Sequence, residues 1–353
     1  MILYNSTRKW RHALNVNYQI VFTEANTAKF LMANMPDVSA GQVLVRTHYT
    51  AISSGTERAN LVGDPNCDGS RKNVPVIFPR RVGYSGSGEV VAVGEGVMSV
   101  QVGDHVATQW GSHTLYQVFP ENHVIRIEND NVRMEEACFL HISTFSLSAI
   151  RKVAPELGES CLIVGGGLLG QFAMQFAALH GAMPVMLADY QSDRRELALK
   201  TGADIAIDPA QGVLEEQVKV CTGGKGANCV VEVTGNPAAL NSAIMATAPM
   251  GRVALLGCMR MPVSVDFYHD VHFPGISLIG AHTNTRPALE SRPGSWTHGD
   301  DCRAALKYLS AGRLHIHDMI HEIHTPQEAP SVFERLAFDQ NFPLGVAFDW
   351  RNL

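Results

Sequence analysis

The 353-residue chain is 46% hydrophobic and 18% charged, with 28 basic against 34 acidic side chains and a net charge of −6. Apolar content on this scale excludes intrinsic disorder and a disulfide-stapled mini-protein, and the length favours two domains. No basic block occurs, which argues against nucleic acid or a membrane as main partner and leaves a small-molecule substrate.

Seven cysteines, at 67, 138, 161, 221, 229, 258 and 302, form no CxxC and no secreted disulfide framework. The opening residues, MILYNSTRKWRHALN, hold no continuous apolar run, so no signal peptide is read and a cytoplasmic location is expected.

Up to about residue 155, short β-type runs alternate with turn signals: QVLVRTHYTAIS (42–53), GSGEVVAVG (86–94) and LYQVFP (115–120). This spacing predicts an antiparallel, barrel-like module. Residues 134–154 predict one helix, with Glu135 and Glu136 near its start. From about 158 strands and helices alternate: CLIVGGG, LLGQFAMQFAALHG, MPVMLADY, DRRELALKTG, ADIAID, VLEEQVKVCTG, ANCVVEVTG, PAALNSAIMATAP, RVALLGC and ISLIGAH. That rhythm predicts an α/β fold with a parallel, doubly wound sheet covered on both faces. The run 161–182 is apolar enough to imitate a membrane span, but a strand passing through glycines into a buried helix explains it better.

After about 285 the alternation stops at the loop TRPALESRPGSWTHGD, followed by the predicted helix DCRAALKYLSAG. A loop of that length is either functional or a surface excursion. Within it Arg286 and Arg292 are candidates for an anionic or polyhydroxylated substrate, while Trp296 and His298, with Trp110 from another loop, are candidates to frame a pocket.

The strongest motif is Gly165-Gly166-Gly167-Leu168-Leu169-Gly170, a G-x-G-x-x-G directly after a predicted strand and opening a predicted helix. Gly165 permits a tight turn, Gly167 lets the backbone approach a pyrophosphate, and Gly170 allows close helix–strand packing. N–H groups at Leu168 and Leu169 would face the anion at the helix start. Asp189 follows nineteen residues beyond Gly170, where it would accept hydrogen bonds from ribose hydroxyls and repel a 2′-phosphate. NAD is therefore expected over NADP. Arg194 and Arg195 follow the acid, and either accommodates a 2′-phosphate or lies on a solvated helix face.

With these parts in order, the chain resembles the medium-chain dehydrogenase/reductase superfamily, the zinc alcohol dehydrogenase-like proteins. The likeness runs from about residue 18 and includes EVVAVGEGV with VGDHVA (89–107), GGGLLGQ, VEVTG (231–235) and GRVALLG (251–257). It implies a GroES-like catalytic domain from residues 1–155 and 286–353, a Rossmann NAD-binding domain at 156–285, and an active site in the cleft between them. It also adds Thr234 and Gly257 to the cofactor set, and implies a homodimer through strand 276–282.

The departures concern zinc. The superfamily's GxCG(S/T)D-type segment is Ala51-Ile52-Ser53-Ser54-Gly55-Thr56-Glu57 here, placing either Ser53 or Ser54 at the cysteine. The G-H-E motif becomes Gly83-Tyr84-Ser85, and the third ligand falls at Leu140 or His141. Val106 and Tyr116 lie too close together for the four-cysteine lobe. No catalytic or structural zinc is expected, because zinc takes Cys, His or carboxylate ligands. His113, His141 and His298 are the histidines from which a rearranged site would be built.

Without metal, a developing alkoxide still has to be stabilised and protonated. Tyr84 is the expected donor and His141 its relay; Thr56 matches the relaying hydroxyl of zinc relatives, and Ser53 or Ser54 orients a substrate oxygen. Glu57 is a weaker general-base candidate. The expected enzyme is a zinc-independent, NAD-dependent dehydrogenase interconverting a secondary alcohol, sugar- or polyol-like, and its ketone. SSGTE also resembles the zinc-lacking branch containing bacteriochlorophyllide dehydrogenases. The alternatives are an enoyl or quinone reductase, usually NADPH-dependent, and a catalytically silent NAD-binding relative.

Overall fold

In the computed structural model, which describes residues 16–64 and 77–353, the amino-terminal part is built mainly of strands. The segment read for a signal peptide, and Cys67, lie outside these residues. β1 (Asn17–Glu24) and β2 (Thr27–Ala33) form a hairpin, followed by β3 (Gln42–Ala51) and helix α1 (Ser54–Val62). β4 (Arg80–Arg81), β5 (Ser85–Val93), β6 (His105–Gln109), β7 (Tyr116–Pro120) and β8 (Val124–Arg126) follow.

The single helix expected over 134–154 is two: α2 (Met134–Ala137) and α3 (Leu140–Val153). The Ser85 hydroxyl donates to the Cys138 carbonyl, the acceptor that an unbroken helix would offer to its next turn.

The alternating region forms one six-stranded parallel sheet. Its strands are β9 (Cys161–Val164), β10 (Val185–Ala188), β11 (Ile205–Ile207), β12 (Ala227–Glu232), β13 (Thr247–Leu255) and β14 (Ser277–Gly280). The intervening helices are α4 (Leu168–His180), α5 (Ser192–Thr201), α6 (Leu214–Cys221) and α7 (Pro237–Met245). The spatial order β11-β10-β9-β12-β13-β14 reverses between β9 and β12, the point where such sheets bind ligands beyond the strand ends. The membrane-like run resolves into β9 and the 13-residue α4. Among the described residues no helix is long and apolar enough to cross a membrane. The helix expected to reach residue 249 stops at Met245, because Thr247 already pairs with Ala227 across the sheet.

The chain then returns through α8 (His298–Ser310), β15 (Ile320–His324), α9 (Ala329–Phe338) and β16 (Gly345–Asp349). β16 inserts beside β3, giving the order β15-β16-β3-β5-β6-β8 with β7 also on β3. Two compact units result, one of residues to His141 with Leu306–Leu353 and the other Ile142–Ala305. The sequence reading puts its junctions at 155/156 and 285/286.

Each unit has its own core. Phe22, Leu44, Phe333, Phe348 and Trp350 bury together in the barrel unit. Leu162, Met186, Val230, Ile244 and Val253 do so in the parallel-sheet unit. Fully burying one such aliphatic or phenyl side chain contributes roughly 1.5–3 kcal/mol.

Candidate active site

The glycine loop leaves β9 at the sheet's reversal point, and its three key glycines serve three different demands. Gly165 has φ +104°, and an added Cβ would lie 2.7 Å from the Thr234 side chain. At Gly170 a Cβ would lie 1.8 Å from the Gly165 carbonyl oxygen, so α4 packs directly on the loop that precedes it. At Gly167 a Cβ would meet nothing within 4 Å. Gly167 is the N-cap of α4 and supplies no side-chain cap, so the helix opens toward free space with its first N–H groups, at Leu168 and Leu169, not used by the helix. Open backbone before a helix N-terminus is the geometry that a pyrophosphate requires, and the cradle fits a dinucleotide.

The acid is in place. Asp189 follows β10, its Oδ2 accepting the Gly166 N–H at 2.7 Å and its Oδ1 the Gln191 N–H at 2.8 Å. A carboxylate oxygen retains further lone pairs, so ribose hydroxyls can still bond there. Arg194 Nη1 stands 3.6 Å from Asp189 Oδ2. Arg195 is turned away, donating to the Asp189 and Tyr190 carbonyls and pairing with Asp208 at 3.1 Å.

Across the reversal point stands Glu232, a residue of VEVTG that the motif alone does not mark as functional. Its fully buried carboxylate accepts from the Thr234 N–H at 2.7 Å, the Thr234 hydroxyl and the Gly235 N–H. Burial pushes the Glu232 carboxyl above its usual range, against the pull of these bonds. Glu232 thus fixes the turn that presents Thr234 to Gly165. Gly257 meets an internal demand, since a Cβ there would sit 2.2 Å from the Gly235 nitrogen.

In the barrel unit the three positions where the resemblance expects zinc ligands meet in space. Tyr84 donates its phenol hydrogen to the Ser53 hydroxyl, which identifies Ser53, not Ser54, as its partner. The Tyr84 and His141 rings meet edge to face with centroids 5.9 Å apart. Trp110, held in a left-handed conformation with φ +59°, packs 4.6 Å from His141 and 6.2 Å from Tyr84. His141 is buried, Tyr84 half-buried and Trp110 exposed, so the phenol lies between an aromatic wall and solvent.

Local structure explains Ser53. It is the N-cap of α1, yet its hydroxyl makes no cap. Glu57 instead reaches back from the first turn, its Oε1 accepting the Ser53 N–H at 2.8 Å, which releases the serine hydroxyl for Tyr84. Thr56 is exposed on the same first turn. Glu57 and His113 pair at 2.9 Å, so both Glu57 oxygens are already engaged. Sequence reasoning named these two residues separately and missed their pairing.

The long loop is anchored. Arg286 does not reach out toward a ligand: its side chain is covered, bonded to Asp301 at 2.9 Å and to the Thr144 carbonyl. Arg151 holds the other Asp301 oxygen at 2.7 Å and covers one face of the Trp296 ring. Burial pushes the Asp301 carboxyl up, while the two guanidiniums oppose it. His298 does not lie in the loop but opens α8, its ring against Thr283 at 3.0 Å. Arg292 is exposed.

A reversing parallel sheet with a glycine cradle, in a chain that also folds an antiparallel barrel unit, is the architecture of a dinucleotide-binding protein, and the relatives named below make it an NAD(P)-dependent oxidoreductase. The comparisons specify it further. Residues 169–292 match the family model of the zinc-binding dehydrogenases, and residues 39–129 match the alcohol dehydrogenase GroES-like domain. The chain belongs to the medium-chain, zinc-alcohol-dehydrogenase-like superfamily.

It is 29% identical over 282 residues to an L-threonine 3-dehydrogenase of Pyrococcus abyssi, covering 72% of this chain and 79% of that protein. It is 23% identical to a D-guloside 3-dehydrogenase of Shigella flexneri, covering 94% and 99%. A crystal structure of an Escherichia coli oxidoreductase/dehydrogenase of unknown specificity superposes with TM-score 0.82 at 17% identity, covering 95% and 99%.

Proposed function

We propose that this chain is a zinc-independent, NAD-dependent dehydrogenase that interconverts a secondary alcohol of a sugar- or polyol-like molecule and its ketone. The observation that carries the reading is the Tyr84–Ser53 hydroxyl pair at the positions where the superfamily places zinc ligands. Zinc takes three protein ligands from Cys, His and carboxylate around an open position. Ser53, Tyr84 and His141 supply one such donor and two hydroxyls already bonded to each other, a set that does not fit the metal.

NAD, when bound, supplies the carbon that accepts or returns hydride. In the reducing direction the Tyr84 phenol donates to the substrate oxygen and gives up its proton as negative charge develops there. Ser53 accepts from the phenol beforehand and, by rotating its own hydrogen, donates to the phenolate afterwards. The half-buried phenolate regains its proton from solvent, while the His141 and Trp110 rings packed against it hold the phenol in place. Oxidation reverses these roles.

Asp189 supports NAD over NADP, because its carboxylate stands where a 2′-phosphate would bring like charge. The names of the relatives support a secondary hydroxyl, since carbon 3 of threonine and of guloside both carry one. The test is NAD-dependent turnover on a panel of hydroxylated compounds, using chelator-treated enzyme. Tyr84→Phe should lower kcat about 100-fold without weakening NAD binding. Loss of turnover on chelation with stoichiometric zinc released, or wild-type kcat in Tyr84→Phe, would sink the reading.

A further inference from the structure

Behind the hydroxyl pair lies a buried carboxylate–imidazole pair that the mechanism does not use. Glu57 is 1% and His113 0% exposed, with Glu57 Oε2 2.9 Å from His113 Nε2. It reaches the hydroxyls from two sides. Through α1, Glu57 Oε1 accepts the Ser53 N–H at 2.8 Å. On the other side the His113 ring lies against Gly83, the residue before Tyr84. Gly83 has φ +87°, and a Cβ there would sit 2.9 Å from the ring. The His113 N–H donates to the Val82 carbonyl at 2.8 Å. At the far end His113 Nδ1 lies 2.7 Å from Thr50 Oγ1, which accepts the Trp350 indole N–H at 2.9 Å.

Donor counting shows how the chain is linked. An indole only donates, so Trp350 occupies one lone pair of the Thr50 oxygen. The Thr50 hydroxyl keeps its own hydrogen and a second lone pair, so it can serve His113 Nδ1 as donor or as acceptor.

We infer that Glu57 and His113 are positioning residues for the reaction: they clamp Ser53 on one side and Gly83–Tyr84 on the other, so that the phenol meets the serine oxygen. The inference rests on the role proposed for Tyr84. Neither residue acts on substrate directly; both act through Ser53 and Tyr84.

Glu57→Gln separates this from a merely structural role, because the amide keeps the shape and still accepts from Ser53. Its NH2 must donate to His113, which makes Nε2 an acceptor and leaves the imidazole proton on Nδ1. Nitrogen-15 NMR of the imidazole should show Nδ1–H in Glu57→Gln, with Nε2 accepting from the amide. We expect kcat to fall about 10-fold, with substrate KM and NAD affinity unchanged, because a small misplacement of a reacting group costs rate and not binding. In a Tyr84→Phe background the same change should cost nothing further, since residues acting through one group are not additive.

Wild-type kcat in a folded Glu57→Gln with the Nδ1–H imidazole, or a full second loss in Tyr84→Phe, would overturn the positioning role. Wild-type kcat in Tyr84→Phe alone would instead overturn the role of Tyr84. Should Glu57→Gln fail to fold, Thr50→Val removes the hydroxyl at the far end and leaves the carboxylate. A drop of about threefold in kcat is then expected, absent in the Tyr84→Phe background, and an unchanged kcat would overturn the inference.

Discussion

In the parallel-sheet unit the functional groups are mostly backbone N–H groups and one carboxylate, drawn from residues 165–189. In the barrel unit they are side chains at 53, 57, 84, 110, 113 and 141, four of them in connections between elements and two, at 57 and 141, in the first turns of helices. A backbone cradle tolerates no added atom at its tight points, while a side-chain site depends on partners that hold one another. The first therefore breaks by addition and the second by subtraction.

The largest expected effect lies in the cradle. Gly170→Val forces side-chain atoms onto the Gly165 carbonyl, 1.8 Å from where its Cβ would stand. NAD affinity, measured by titration calorimetry, should fall more than about 100-fold, with a lowered Tm, because neither backbone segment can move aside cheaply. An unchanged affinity would mean that the cradle is softer than its geometry states.

Asp189→Ala removes a charged acceptor without touching the glycines, and should weaken NAD binding about 10-fold while narrowing its advantage over NADP. Equal affinities for the two cofactors in the wild type would contradict that role.

The smallest effect contrasts the pH responses of the two units. In the barrel unit burial, together with His105 and Arg46, holds the His48 imidazole down to about 4 from its usual 6.5. Between those values the unfolded chain binds more protons, so stability is full above pH 6.5 and declines as pH falls toward 4. Glu232 in the other unit has the opposite sign: its raised carboxyl favours the fold at low pH, and this contribution is lost as pH rises through its pKa. Melting from pH 7 down to 4.5 should cost His48→Gln less Tm than wild type, and identical slopes would remove His48 from the acid response.

The cradle was legible in the sequence because its chemistry is local: G-x-G-x-x-G, its strand, its helix and Asp189 all fall within 30 residues. The alternating pattern likewise predicted the parallel sheet. The barrel site was legible only as a set of positions. Counting along the chain left Ser53 and Ser54 equivalent, and only the start of α1 sends one of the two hydroxyls to Tyr84. The Glu57–His113 bond joins residues 56 apart, and no periodicity reports such a pairing. Arg286 looked like a ligand-binding arginine because sequence does not show that Asp301 is fully buried beside it. The break between α2 and α3 depends on Ser85, far upstream of the helix it interrupts.

The place of β16 has a consequence for the order in which the molecule is made. The parallel-sheet unit is continuous from Ile142 to Ala305, so all of its chain exists before the barrel's return segment is synthesised. The barrel unit begins first and finishes last: β3 waits for β16, and Thr50 waits for the indole of Trp350. During translation its earlier strands stand next to an unfilled edge while the other unit folds. The last strand therefore completes the barrel's sheet, and the tryptophan that follows it makes the final contact in the chain of residues that leads to Tyr84.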